Sequence, residues 1–131
     1  MNELIIEARI ENLDAVLDFV NGQLGDCPPK VQNKIGIAVD EVFSNIARYA
    51  YHPEAGDVEI RITVAGDITI EFEDSGIAYD PLAAGQPDIT LPAEERELGG
   101  LGIFIVKNIM DSVEYRREGE KNILTIKKGL A

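Results

Sequence analysis

The chain of 131 residues has one cysteine, Cys27, one histidine, His52, and half as many basic as acidic side chains, 12 against 24. A lone cysteine cannot close an internal disulfide, and it has no neighbouring thiols or imidazoles to build a metal knot, a pattern suited to a reducing compartment. No apolar run approaches the length needed to span a bilayer. No basic segment followed by an apolar one opens the chain, so a cytoplasmic location is expected. The net charge of −12 argues against a nucleic-acid backbone as partner, because phosphates are held by cations. The acid is concentrated: Glu71 to Glu97 holds eight acidic residues and a single basic one, Arg96. An anion bound there would need local N–H donors and a cation rather than the overall field.

What is present suffices for one globular domain, expected to cover 1–131. The apolar share of 45% is ordinary, and a chain of this length can bury a core. Leu4, Ile6, Ala8 and Ile10 alternate with polar residues and suggest a first strand. Asn12 can cap a helix carrying Leu13, Val16, Leu17 and Val20 that ends near Gly25. Pro28-Pro29 opens a longer helix that His52-Pro53 stops. Val58–Val64 and Ile68–Phe72 alternate about Gly66-Asp67 and predict a hairpin. From Ser75 to Leu98 the pattern dissolves into Gly, Pro, Asp and Ala, and a connection this long in a compact domain usually serves a function, often as a lid. A helix from about Gly100 to Met110 follows, with Ile103, Val106, Ile109 and Met110 inward. Val113–Arg117 and Asn122–Lys127 form a second hairpin turning near Gly119-Glu120. The expected class is α+β: a two-layer sandwich, its mixed but mostly antiparallel sheet covered on one face by helices.

Three places carry chemistry. On the long helix Val31, Ile35, Ala38, Val42, Ile46 and Tyr49 make an apolar stripe. Asn45 lies on its edge and Glu41, four residues earlier, on the same flank, while Asp40 points to the far side. A carboxylate and an amide so placed suit a general base and a ligand for a hard cation such as Mg2+, and equally a solvent-edge ion pair with a core-edge hydrogen bond. The second place is Asp74-Ser75-Gly76. Counting by twos from Ile68 puts Asp74 on the inward face with Ile70 and Phe72. A buried carboxylate needs donors, which a ligand amine could supply with Gly76 allowing a ring to come close. Asp74 could also bond its own backbone in a turn. The third is Gly99-Gly100-Leu101-Gly102 at a helix start, where free N–H groups make an anion site or a glycine-rich cap forms a hinge. Its spacing is neither a Walker loop nor a Rossmann fingerprint.

Taken together, Glu41-x-x-x-Asn45, Asp74-x-Gly76 and Gly100-x-Gly102 resemble the N, G1 and G2 boxes of the GHKL ATPases, which share the Bergerat nucleotide-binding fold. The short chain further resembles the bacterial anti-sigma-factor serine/threonine kinases. The resemblance covers nearly the whole chain and is most specific over Asp40-Glu-Val-Phe-Ser-Asn45 and from Gly99 to Asp111. It implies that Glu41 is the catalytic acid acting as general base or orienting the attacking hydroxyl, and Asn45 the Mg2+ ligand. Asp74 would accept the adenine amino group and Gly76 make room for the ring. Gly100, Leu101, Gly102 and Ile103 would form the phosphate turn, and Ser75–Leu98 the ATP lid, with Arg96 within reach of a phosphate. Thr125, between Leu124 and Ile126, would match a threonine near the adenine. The G1 box often has a second glycine where this chain has Ala78.

The implied cofactors are ATP and Mg2+. The implied activity is transfer of the γ-phosphoryl group to a serine or threonine of a STAS-type anti-sigma-factor antagonist, with a sigma factor as alternative partner and a homodimer as the assembly. A non-catalytic module, in which ATP orders a partner surface in a partner-switching pathway, is the alternative. A detached histidine-kinase catalytic domain would need a phosphoacceptor helix, and His52 before Pro53 reads as a cap or surface residue. A plain structural domain would show no ATP-dependent rise in melting temperature.

Overall fold

The computed structural model describes residues 2–51, 56–77 and 98–129. Five strands form one sheet in the order β1-β2-β3-β5-β4: β1 (Asn2–Glu7), β2 (Asp57–Val64), β3 (Asp67–Asp74), β4 (Ser112–Glu118) and β5 (Lys121–Gly129). Each of the four pairings is antiparallel, so among the described residues the sheet is antiparallel throughout rather than mixed. Three helices, α1 (Leu13–Gln23), α2 (Pro29–Tyr49) and α3 (Leu98–Ile109), complete the α+β arrangement.

The alternation rule explains which face the helices cover. In β2 the residues Val58, Ile60 and Ile62 are buried, and in β3 Ile68, Ile70, Phe72 and Asp74. Register places Val58 opposite Asp74, Ile60 opposite Phe72 and Ile62 opposite Ile70, so these side chains share one face. That face meets Val16 and Val20 of α1, Ile35, Ala38, Val39, Val42, Phe43 and Ile46 of α2, and Val106 of α3 in one core. The other face carries Arg61 among Glu59, Glu71 and Glu73, at 3.0, 3.7 and 3.4 Å, and Lys121 at 3.2 Å from Glu73.

Two expected boundaries move. β1 stops at Glu7, and Ile10 lies in a 3₁₀ turn and is exposed, because Ala8 has already left the ladder to donate its N–H to Gly56 O at 2.8 Å. α3 starts at Leu98, two residues earlier than the glycines suggested. The buried surface of α2 is also broader than one stripe, since Val39, Phe43 and Ser44 are buried beside it. A helix between a sheet and a flanking helix is covered over more than one face, and α3 packs along α2. The stop at His52-Pro53 lies outside the described residues, as does the segment 78–97 that holds Ala78, Arg96 and most of the expected lid.

Candidate functional site

Asp74 ends β3 on the helix side of the sheet and is 5% exposed. Its Oδ1 accepts the N–H of Gly76 at 2.9 Å, the local turn that its position allows. The same oxygen accepts a second bond at 2.9 Å from Nδ2 of Asn122, its register partner on β5. Among the described residues no donor reaches Oδ2 of Asp74. One oxygen is therefore held by β3, β5 and the turn after Asp74, and the other receives no donor from the described residues.

The chain leaving Asp74 is fastened to the C-terminal end of α2. Ile77 donates its N–H to the carbonyl of Ala50 at 2.9 Å. A Cβ on Gly76 would lie 2.1 Å from the Ala50 oxygen. The glycine is thus demanded by the approach of two backbones, a reason additional to any room it leaves for a ring. Tyr51 locks the same corner: its hydroxyl donates to Asp57 O at 2.7 Å and accepts the Ser75 N–H at 2.8 Å. Burial raises the Tyr51 phenol above its ordinary value, and the negative charges of Asp74 and Asp57 act in the same direction against the Ser75 bond.

Asn45 and Glu41 lie back along the same helix. At 1.5 Å per residue, Asn45 stands roughly 7.5 Å and Glu41 roughly 13.5 Å from Ala50 along the axis. Asn45 is 9% exposed, and its Oδ1 is buried with no hydrogen-bond partner among the described residues. An amide oxygen in that condition lacks about 1–3 kcal/mol of compensation and is suited to a hard cation. Glu41 is half-buried. Asp40 is turned to the groove between α1 and α2, where it accepts a bond from Ser44 at 3.2 Å.

The glycines Gly99 and Gly100, with Leu101, fall in the first turn of α3, where backbone N–H groups have no acceptor within the helix; Gly102 opens the second turn. Ile103 is buried and faces the core.

Thr125 departs from expectation. In β5 the inward residues are Asn122, Leu124 and Ile126, paired with Asp74, Phe72 and Ile70. Thr125 pairs with Glu71 and Glu114 and so belongs to the opposite face, although it is only 8% exposed. A sheet side chain cannot serve both faces, so Thr125 is excluded from a site built on Asp74. The β5 residue that stands inward beside Asp74 is Asn122, and the register with β3, rather than the buried run of β5 itself, places it there. Tyr115 and Arg117, which reach Asn122, stand on β4 opposite Leu124 and Asn122.

The pattern of histidine kinase-like ATPase domains matches residues 6–128. The chain belongs to that family. Among curated proteins, this histidine kinase-like ATPase domain is 29% identical over 93 residues to the serine/threonine-protein kinase BtrW of Bordetella bronchiseptica, covering 69% of this chain and 65% of that one. It is 27% identical over 96 residues to the serine-protein kinase RsbW of Bacillus cereus, covering 70% and 60%. The match thus spans less than two thirds of the length of either relative. Among solved structures, the domain superposes on the Acinetobacter baumannii histidine kinase AdeS with a TM-score of 0.56 at 19% identity, over 99% of this chain and 68% of that one. The blue-light activated histidine kinase of Erythrobacter litoralis gives 0.55 at 20%, over 92% and 60%. At those identities the superpositions speak for the fold. Among the described residues no helix is long and apolar enough to cross a membrane.

Proposed function

We propose that this chain is a cytoplasmic serine/threonine protein kinase that binds ATP and Mg2+ and phosphorylates a small STAS-type anti-sigma-factor antagonist, with a sigma factor as its alternative partner. The observation that carries the reading is the buried Oδ1 of Asn45, without a partner among the described residues and one turn from Glu41, on the helix whose C-terminal end is tied to the turn after Asp74. The names of BtrW and RsbW support the choice of a serine/threonine kinase.

The roles follow from chemistry and position. Asp74 accepts the exocyclic amine of adenine. The N–H groups at the start of α3 donate to the phosphates, as helix N-termini do. Asn45 Oδ1 would hold Mg2+, which when bound neutralises phosphate charge. Glu41 takes the proton of the attacking hydroxyl as its oxygen bonds to the γ-phosphorus and ADP leaves. Phosphoryl transfer depends mainly on positioning and charge stabilisation, so few side chains are required. Arg96, in the acidic lid segment, would reach a phosphate.

The test is phosphotransfer from labelled ATP, with Mg2+, to an antagonist protein encoded beside this chain. Glu41→Ala is expected to lower the rate by roughly 10²–10⁴-fold while ATP still binds. Absence of phosphorylated antagonist with the wild-type chain would sink the kinase reading and leave an ATP-dependent binding module in its place.

A further inference from the structure

Asn122 is 6% exposed and makes all four hydrogen bonds open to a side-chain amide. Its Nδ2 donates to Asp74 Oδ1 at 2.9 Å and to Ile77 O at 2.8 Å. Its Oδ1 accepts from the Tyr115 hydroxyl at 2.5 Å and from Arg117 Nη1 at 3.1 Å. Arg117 can only donate and Ile77 O can only accept, so the amide has one permitted orientation, in which the Tyr115 hydroxyl donates to Oδ1. Arg117 Nη1 also donates to Gly76 O at 3.0 Å. The β4–β5 hairpin thereby grips the turn after Asp74 at two carbonyls and at the carboxylate itself.

The consequence lies in what remains available on Asp74. With Gly76 N–H and Asn122 Nδ2 both on Oδ1, the carboxylate cannot rotate without breaking two bonds. We propose that Asn122 is the positioning residue that turns Asp74 into a selective reader of an exocyclic amine, by occupying Oδ1 and presenting Oδ2, to which no described residue donates, as a fixed acceptor. A 6-amino purine offers a donor to that oxygen. A 6-oxo purine offers an acceptor, and the contact is repulsive. A purine with hydrogen at that position leaves the carboxylate unpaired, which a site built on a buried polar group rejects. The inference rests on Asp74 as the base-binding residue, and the experiment separates the two.

Binding of ATP and of purine riboside 5′-triphosphate, which lacks the amino group, is measured by calorimetry on the wild-type chain, Asp74→Ala, Asn122→Ala and Asn122→Asp. Asp74→Ala must erase the preference for ATP; a preserved preference refutes the adenine reading, and this inference with it. If Asp74→Ala behaves as expected, Asn122→Ala is expected to weaken ATP roughly ten-fold, about the worth of one hydrogen bond to a charged group. The same substitution should leave the analogue within about two-fold, since the lost contact is one that only ATP makes. An equal loss for both ligands, or none for either, overturns the positioning role while leaving Asp74 in place. Asn122→Asp keeps the shape but faces Asp74 with a second carboxylate. Its ATP affinity is expected to be poor at pH 8 and to recover toward pH 5, as one shared proton restores a donor between the pair. Besides Asp74, the titratable groups facing this position are Tyr115 and Arg117. A loss that stays flat with pH would contradict the proposal.

Discussion

Asn45 gives the sharpest test at the scale of a single residue. Its Oδ1 is buried without a partner among the described residues, an uncompensated acceptor whose cost a bound cation would offset. Asn45→Leu, close in size, should leave the melting temperature of the ligand-free chain unchanged or raise its stability by about 1 kcal/mol. The same variant should lose the Mg2+-dependent part of nucleotide affinity. A substitution that is strongly destabilising without ligand would mean that the amide serves the core instead. At this scale the placement of a side chain was legible where parity was clean. Asp74 was legible because Ile68, Ile70 and Phe72 set the count, and Asn45 because it broke a helical stripe. Thr125 was misplaced because Ile123, Leu124, Thr125 and Ile126 are all buried in β5, and a run apolar on both faces has no parity to read. Only the register with β3 decides it.

The two glycine environments on or against α2 set the prediction for elements. Gly36, inside the helix, has nothing within 4 Å of an added Cβ. Gly36→Ala should raise stability by about 1 kcal/mol through helix propensity. Gly76→Ala should act in the opposite sense, because the new Cβ would lie 2.1 Å from Ala50 O and 2.5 Å from its carbonyl carbon. A loss of about 3 kcal/mol is expected in urea unfolding, since backbone has to move, together with weaker ATP binding. Equal effects of the two substitutions would show that β3 and α2 do not meet as described. The helices and both hairpins were legible from period and turn residues. The order β1-β2-β3-β5-β4 was not, because pairing between distant strands is fixed by the shared core and leaves no local mark. The second demand on the glycine at 76 was not legible: its tightest contact is 26 positions away in sequence, on the end of another element.

At the scale of the whole molecule, the open face of the sheet ties stability to pH. Burial alone would raise the Glu73 carboxyl, but the hydrogen bond from Lys121 and the charge of Arg61 outweigh it and hold it below its ordinary value of 4.5. A carboxyl depressed in the folded state contributes stability above its unfolded value and loses it as pH falls through the folded one. Glu73→Gln should therefore be less stable than wild type at pH 7, and the two unfolding curves should converge as pH drops below about 4.5. Parallel curves down to pH 2 would show that Glu73 is not held by these cations in solution. The net charge of −12 adds a general repulsion that salt screens, so the comparison belongs at fixed ionic strength.

One bond joins these scales. The carbonyls of a helix's last turn have no acceptor role within it, and the Ala50 carbonyl at the end of α2 receives the N–H of Ile77. The long helix is thus capped by the very turn that leaves Asp74. Capping and ligand binding then share a free energy, and the coupling must be reciprocal. A nucleotide that settles the Asp74 turn should slow hydrogen exchange of amides in the last turn of α2. Conversely, a partner that frays or braces that helix end should change nucleotide affinity by the same factor, without touching the nucleotide.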